Sequence, residues 1–458
     1  MDCSGAHRTL SGNFLNNSQK ISAWIIHREK PETQLEVVNS DRISQEAKNT
    51  PEPDRSVDLI PTITFVVIGA VILMGLLFAP FSRTAIWRAT VTPLASIIGS
   101  GFLVSAPLLA REFGGFAALA MALLILVAML IGWTIRYNIR VVEPQLAADK
   151  DHVLHSIEQL SHIVLAFAYF ISVSYYLALL GHFVLQGANI DRPELAKPIA
   201  ISLLVVIGLL GWSGGAQKVA RVERYATALN LSVIAGFLAA LAVFAFGKIV
   251  GPGDFLSAAG KFELKSLPVL LGLLIVVQGF ETTRFMGEEF DAQTRIKAMW
   301  NAQLLSGVIY IVFFILLSPL LIDLSQGEGV AAVISVSALV AGILPISLTI
   351  AATASQFSAS VADSIGDAGL IGEITHDRVN PSHAYGLIAL VGIGILWSTD
   401  VDQVIALASR AFALFYALQC LVAFEAARKR KGDEKKAVAF LALSIVSGAV
   451  FVFGVPAG

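Results

Sequence analysis

The chain has 458 residues, of which 56% are hydrophobic and 14% are charged. A water-soluble protein of this length needs far more charge to cover its surface, so composition excludes the soluble globular class and indicates an all-α protein that crosses a membrane many times. The near balance of 32 basic and 34 acidic residues gives no reason to expect nucleic acid as a partner.

Few features of the chain are typical of catalytic or metal sites. Its two cysteines, Cys3 and Cys420, are too few and too poorly placed for a disulfide framework or a metal centre. The sequence has no glycine-rich phosphate loop of the Walker type and no GxSxG nucleophile elbow. We therefore expect a protein that is not an enzyme and that holds no metal or organic cofactor.

The first 57 residues differ in composition from the rest. They are polar, carry charges of both signs and close with Pro51 and Pro53, which predicts a disordered N-terminal tail over 1–57. They lack the apolar region and cleavage site of a secretory signal peptide. An additional transmembrane helix is expected directly after this tail, over 58–82.

Apolar stretches of about 20 residues, the length that crosses a bilayer as a helix, recur along the remainder of the chain. They predict about 12 transmembrane helices in all. The run 331–362 is longer than one crossing requires and is expected to tilt or to extend into the cytoplasm. The predicted spans are 60–81, 90–110, 116–138, 157–185, 199–213, 220–246, 267–286, 302–322, 331–362, 384–398, 402–424 and 437–454.

Lysine and arginine concentrate in alternate connections between these spans. The positive-inside rule places the basic connections in the cytoplasm, which predicts a multi-pass protein of the plasma or inner membrane. Both termini then lie outside if 60–81 crosses the bilayer. If that segment is re-entrant or lies at the surface, the N-terminus is inside and the other spans keep their orientation. The basic connections carry Arg83, Arg88, Arg136, Arg140, Lys150, Lys218, Arg221, Arg224, Arg284, Arg295, Lys297, Arg378 and the cluster 428–436.

One interruption falls within the second predicted span, at Gly99-Ser100-Gly101. Paired glycines weaken a helix, and Pro93 and Pro107 flank the segment. A break in hydrocarbon survives only where the freed backbone groups are buried in protein or face a water-filled cavity, and a helix N-terminus there would suit a carboxylate. The alternative is that these small residues simply allow two helices to pack closely.

A second interruption lies in the span 267–286, where Gln278, Gly279 and Glu281 break an apolar run. The predicted orientation makes this span antiparallel to the one that contains Gly99. Interrupted helices in corresponding, oppositely oriented positions are a sequence sign of an inverted-repeat secondary transporter. This pairing favours a binding site over close packing at Gly99–Gly101.

Both motifs resemble those of a known family. The segment 97–105, IIGSGFLVS, resembles the first-helix glycine signature of the amino acid–polyamine–organocation (APC) superfamily, and 278–282, QGFET, followed by Gly-Glu-Glu at 287–289, is similar to its sixth-helix motif. The resemblance implies a five-plus-five inverted-repeat (LeuT-type) fold with discontinuous first and sixth repeat helices. The repeats would occupy 88–247 and 266–427, followed by a further helix over 437–454. Two departures are the extra helix before the first repeat and Phe102-Leu103 where isoleucine-phenylalanine is common.

The resemblance also implies a function and a site. It implies a symporter or exchanger that moves an amino acid or related small amine by alternating access, coupled to H⁺ or Na⁺ if it is not an exchanger. Backbone of the first helix would hold the substrate carboxylate, and the sixth helix would complete the pocket. The candidate substrate-binding residues are Ile98, Gly99, Ser100, Gly101, Gln278, Gly279, Phe280 and Glu281.

Polar residues at membrane depth supply the candidates for coupling and gating, since an ionisable group there is costly. Glu281 could pair with a substrate ammonium, carry a proton or cap free backbone amides. Ser355 and Ser358 would suit Na⁺ if their hydroxyls face the first helix. Arg410 could pair with Glu281, contact an anion or reach the headgroups. Glu288 and Glu289 are expected, with Arg88 and Arg284, in a cytoplasmic charge network that acts as a gate or as structure.

Several alternatives remain open at this point. The substrate could instead be a polyamine, a nucleobase or an inorganic cation, and a non-transporting membrane sensor could use the same fold. The expected partners are a small-molecule substrate and the lipid bilayer, while the sequence leaves the oligomeric state undetermined.

Overall fold

The computed structural model describes residues 55–148, 151–213, 216–247, 266–287, 289–327, 329–376 and 378–455. Residues Asp58–Gly458 form one compact unit. The described residues form helices and turns and include no β-strand, so the predicted all-α class is confirmed. The predicted tail over 1–57 lies outside the described residues except at its last positions.

Eleven long helices organise the described chain. Eight stretches are long and apolar enough to cross a membrane, one of which, Ala85–Ala147, contains two helices in succession. The long helices are α1 (Arg55–Phe78), α2 (Ala85–Phe113), α3 (Ala117–Tyr137), α4 (His152–Gly187), α5 (Ala196–Trp212), α6 (Ala216–Gly247), α7 (Ala292–Leu316), α8 (Leu344–Ile374), α9 (Pro381–Ser398), α10 (Val401–Arg428) and α11 (Glu434–Phe453).

Side chains placed just before several helices explain where those helices begin. Asp151 accepts a hydrogen bond from the Leu154 amide at the start of α4, and Asp291 accepts one from the Thr294 amide at the start of α7. Each cap satisfies a backbone donor that a helix leaves unpaired. Asp151 also pairs with Lys429, whose ammonium holds the pKa of the Asp151 carboxyl below its usual range. The pair links the start of α4 to the end of α10.

The helix α2 runs without interruption through Gly99-Ser100-Gly101, so the predicted discontinuity of the first repeat helix is wrong. The reason is tertiary packing, which here outweighs the low helix propensity of glycine. Every residue from Ile97 to Phe102 is buried, and a Cβ on Gly101 would overlap the backbone and side chain of Val276. The glycine at position 101 therefore allows close packing, the alternative that the sequence left open.

The predicted break of the sixth repeat helix is confirmed. We use "broken segment" for Leu267–Phe285, which consists of an α-helix over Leu267–Gly272 and 3-10 turns over Leu274–Val277 and Phe280–Phe285. Between the two 3-10 turns the chain is extended at Gln278, and Gly279 has φ +117°. That backbone conformation favours glycine, and a Cβ on Gly279 would in addition overlap Ser96 of α2.

The region 331–362 is not one tilted span. A short helix, Ala332–Val336, precedes α8, which begins at Leu344 and continues to Ile374. Pro345 lies in the first turn of α8, where its missing amide costs no helical hydrogen bond. The predicted span thus began too early and ended too soon. The prediction treated the part of α8 that follows residue 362 as a loop.

Packing of the long helices places α4, α6 and α8 beside α2 and the broken segment. The helix α8 packs against α4 and α6, and α10 packs against α4 and α11. The helix α1 lies against α6, where Phe65 contacts Gly236, and leaves most of its apolar side chains exposed for contact with lipid. Polar groups on the facing sides of α2, α4, α6 and α8 consequently meet inside the bundle.

Substitution of Gly101 tests the close packing of α2 on the broken segment. We expect Gly101→Ala to lower stability by about 1–3 kcal/mol, because the added methyl group has no space beside Val276. Gly394→Ala in α9 is the matched control, since a Cβ there meets nothing within 4 Å. Thermal unfolding of both purified variants in detergent measures the difference. Equal melting temperatures would contradict the packing role of Gly101.

Candidate functional site

The four candidate residues on α2 are buried in the contact between α2 and its neighbours. Gln356 of α8 donates to the Gly99 carbonyl at 2.6 Å, and Tyr175 of α4 donates to the Ser100 carbonyl. The Ser100 hydroxyl donates to the Ile97 carbonyl at 2.9 Å. Because this part of α2 is helical, its amides are not freed in the way the sequence predicted. A role of Ile98–Gly101 in binding substrate stays a prediction.

The candidate residues at the break are held by a different set of hydrogen bonds. Glu281 accepts hydrogen bonds from the Gly279 amide at 3.0 Å and from the Tyr416 hydroxyl at 2.8 Å, both on the same carboxylate oxygen. Phe280 stacks on the Tyr416 ring with centroids 5.3 Å apart, and Gln278 donates to the Tyr176 hydroxyl at 3.1 Å. Glu281 thus caps a free amide of the broken backbone, one of its three predicted roles. Its other oxygen has no hydrogen-bond partner among the described residues.

A cavity of about 300 Å³, here called the central cavity, lies beside the break. Ser355 and Ser358, predicted as coupling residues, both line it, and the Ser355 hydroxyl accepts from the Asn230 amide at 3.0 Å. Ser355 also lies beside Gly99, since a Cβ on Gly99 would be 3.2 Å from its hydroxyl oxygen, as predicted for hydroxyls that face the first helix. The lining residues are Thr92, Ala95, Ser96, Tyr169, Thr227, Asn230, Thr282, Phe285, Met286, Ser355, Ser358, Ala359, Ala362, Asp363, Ile365 and Gly366.

A larger cavity of about 800 Å³, here called the outer cavity, lies between α1, α2 and α6. Its lining includes Arg88 and Glu289, which form an ion pair. Thr92, Thr227 and Met286 line both cavities, so the two cavities adjoin. The outer cavity is larger, but the central cavity adjoins the broken segment. We therefore take the central cavity as the candidate solute site.

Two of the predicted coupling and gating residues lie away from the central cavity. Arg410 donates to the Phe451 carbonyl at 2.7 Å and lies over the Phe451 ring, and it does not pair with Glu281, which was one of the three roles that the sequence left open. Glu289 pairs with Arg88, as expected of the charge network, but at the outer cavity. Glu288 lies outside the described residues.

Arg284, at the end of the broken segment, belongs to a separate buried network. It donates to Glu158 of α4 at 2.6 Å and to the side-chain oxygen of Gln419 of α10. Its carbonyl accepts from Arg295 of α7 at 2.7 Å, and Arg295 also binds Glu143 at 2.6 Å. The network thus fastens the broken segment to α4, α7 and α10. This role of Glu158 was not identified from the sequence.

Sequence reasoning also missed two carboxylates, Asp363 and Asp367 of α8. Asp363 lines the central cavity and accepts a hydrogen bond from the Ser172 hydroxyl of α4, while Asp367 is fully buried. Their spacing of four residues was a usable signal, because it places two acids on one face of a helix. It went unused because the predicted span ended at residue 362.

Removing Glu158 tests the buried network against an exposed ion pair of the same composition. Arg284 and Glu158 have side chains 4% and 9% exposed, whereas Arg88 and Glu289 are 46% and 57% exposed. We expect Glu158→Ala to cost about 3–5 kcal/mol, because it removes the nearer carboxylate of the buried Arg284 guanidinium and leaves only the more distant Glu143, at 4.0 Å. The control Glu289→Ala should cost about 0–1 kcal/mol. Thermal unfolding in detergent checks both values, and a small effect of Glu158→Ala would contradict the network.

Variants of Glu281 test whether its carboxylate caps the break. Glu281→Leu leaves the Gly279 amide and the Tyr416 hydroxyl unpaired, at about 1–3 kcal/mol for each group. Glu281→Gln retains an oxygen that accepts both hydrogen bonds and should keep most of the stability. Melting temperatures of the two variants provide the comparison. A leucine variant as stable as the glutamine variant would exclude the capping role.

Comparisons with known proteins agree with the family resemblance. Residues 79–454 match the family described as APC superfamily transporter. A protein of Aquifex aeolicus (strain VF5), described only as uncharacterized, is 39% identical over 405 residues, which cover 86% of this chain and 97% of that protein. A solved structure of a Na⁺-coupled sialic acid symporter in its substrate-bound outward-open state aligns with a TM-score of 0.45 and 15% identity, covering 87% of this chain and 98% of that chain. The family match covers most of the sequence, and the chain belongs to the APC superfamily of transporters.

Proposed function

We propose that this transporter moves an amino acid or a related small amine across the membrane by alternating access. The observation that carries the proposal is the central cavity, which lies beside the broken segment and has both hydroxyl and carboxylate groups in its wall. Its volume of about 300 Å³ lies at the lower end of the range for small-molecule sites. Asp363 supplies a negative charge that favours an ammonium group on the solute.

The adjoining outer cavity supports access from one side of the membrane. The two cavities share lining residues, and the outer one contains Arg88 and Glu289, which the distribution of basic residues assigns to the cytoplasmic side.

Three buried tyrosines hold α2 and the broken segment together: Tyr175 and Tyr176 bind Ser100 and Gln278, and Tyr310 donates to the Val276 carbonyl at 2.7 Å. A conformation open to the cytoplasm and closed on the other side is one of the two states that alternating access requires.

Uptake into proteoliposomes tests the proposal. We expect a labelled mixture of L-amino acids to accumulate inside vesicles that contain the protein when a proton or sodium gradient is imposed, or to exchange against internal amino acids if the protein is an exchanger. The Asp363 carboxylate in the cavity wall also favours a polyamine or an inorganic cation, so labelled putrescine and rubidium are parallel substrates. Uptake of either one without uptake of amino acids would replace the proposed substrate class. Binding without any transport would indicate a sensor.

Filling the central cavity should stop transport without preventing folding. We expect Ala362→Trp to reduce amino acid uptake to the level of empty vesicles, because Ala362 lines the central cavity and the indole ring takes up the space of the solute. Ala70→Trp, at an exposed position of α1, is the matched control and should transport like the unmodified protein. Both variants are compared by initial uptake rate at equal amounts of reconstituted protein. Normal uptake by Ala362→Trp would remove the central cavity from the transport path.

A further inference from the structure

Asp363 and Asp367 form a pair of acids on α8. The proposed transport path gives a role to Asp363 but none to Asp367. They are four residues apart and therefore lie on the same face of the helix, one turn from each other. Asp363 is 5% exposed and lines the central cavity, whereas Asp367 has no exposed surface. The pair thus leads from the wall of the cavity into the protein interior.

Asp367 makes no hydrogen bond through either carboxylate oxygen with any residue that the structure describes. It also forms no ion pair within the described part of the chain, and the charged group that acts on it is Asp363, by repulsion. Other buried carboxylates in this protein have partners: Glu281 accepts two hydrogen bonds and Glu158 binds Arg284. Asp367 is therefore a buried acid without a counter-charge among the residues that the structure describes.

The groups on the surrounding elements do not neutralise Asp367. On α4, the phenol of Tyr169 carries no positive charge, and the charged groups that act on it, Asp363, Asp367 and Glu281, are all acids. His162 of α4 binds Glu158 at 3.2 Å and Glu373 of α8 at 3.4 Å. On α6, whose side chains are described from Tyr225 onward, the group that faces α8 is the neutral amide of Asn230, bonded to Ser355. No described residue of α2 or α9 forms an ion pair with Asp367.

An ionised carboxylate in such a position is unfavourable. An unpaired charge transferred from water to a low-dielectric interior costs far more than a neutral group, and it is normally avoided by taking up a proton. Two carboxylates one helical turn apart also oppose each other's ionisation. A sodium ion would need several oxygen ligands besides Asp367, and no described hydroxyl group is hydrogen-bonded to its carboxylate to place a second oxygen beside it. A proton requires only the carboxylate.

We propose that Asp367 binds the coupling proton of this transporter and that Asp363 exchanges this proton with water in the central cavity. The inference rests on the proposed transport function and adds the identity of the coupling ion. A proton from the cavity water adds to the Asp363 carboxylate and passes to Asp367, which is neutral while it is buried. It leaves by the reverse path when the cavity opens to the other side. Movement of the solute and of the proton is thereby linked through one cavity.

Infrared spectroscopy tests proton binding without knowledge of the substrate. The full-length protein is reconstituted with carboxyl-labelled aspartate, so that protonated aspartate is distinguished from protonated glutamate by its isotope shift. We expect a protonated-aspartate carbonyl band at neutral pH that disappears in Asp367→Asn and persists in Asp323→Asn, an exposed control in a short helix. Absence of the band from the unmodified protein overturns the proposal, and so does its persistence in Asp367→Asn. If Asp367→Asn does not fold, absence of the band from the unmodified protein still overturns the proposal, and loss of the aspartate band in Asp367→Glu assigns it to Asp367.

Transport measurements separate this inference from the proposed function. With the labelled amino acid mixture, Asp367→Asn should lose accumulation driven by a pH gradient but keep exchange of external for internal amino acids, because the amide is permanently neutral. Asp323→Asn should keep both activities. If the unmodified protein accumulates amino acids without taking up protons, measured with a pH-sensitive dye inside the vesicles, the proton site is excluded and the transport function stands. If amino acids are not transported but the infrared band behaves as expected, the proton site stands and the substrate class is wrong.

Discussion

A helix that is interrupted inside a membrane requires protein partners for the backbone groups that the break releases, and the rest of this structure depends on that constraint. The Glu281 carboxylate accepts from the Gly279 amide and is itself held by the Tyr416 hydroxyl, and Tyr310 supplies a donor for the Val276 carbonyl. Gly101 supplies the space that allows α2 to approach the same backbone. The broken segment is therefore stable only as part of a group of at least four helices, which fixes their positions around it.

This arrangement also explains why a polar cavity can exist in so apolar a protein. The 3-10 turn Phe280–Phe285 of the broken segment and the polar face of α8 both line the central cavity inside the bundle. The wall of that space includes Ser355, Ser358 and Asp363, and Asp367 lies one turn further along α8. Burial makes a charge on a carboxyl group such as that of Asp363 or Asp367 costly, so each buried acid is expected to have a function or a partner. Glu158 has a partner in Arg284, whereas Asp367 has none among the described residues.

The sequence predicted the helical class, the family and the break at Gln278–Gly279, because hydropathy and a glycine within an apolar run are local signals. It was wrong about α2, since the same kind of local signal at Gly99–Gly101 reflects close packing against a segment that lies far away in the chain. It also missed Asp363 and Asp367, because hydropathy alone did not locate the observed bounds of α8 at Leu344 and Ile374. The contact of Arg410 with Phe451 depends on the position of α11, which no pattern in the sequence indicated.

The central claim is that a solute passes through the central cavity from one side of the membrane to the other. The most direct measurement is the reaction of a cysteine at Ser358 with a membrane-impermeant thiol reagent added to either side of proteoliposomes. The background carries Cys3→Ala and Cys420→Ala, although the native Cys420 thiol is itself buried. The account predicts reaction from both sides, each slowed by a mixture of amino acids. Reaction from one side alone, at a rate that amino acids do not change, would contradict it.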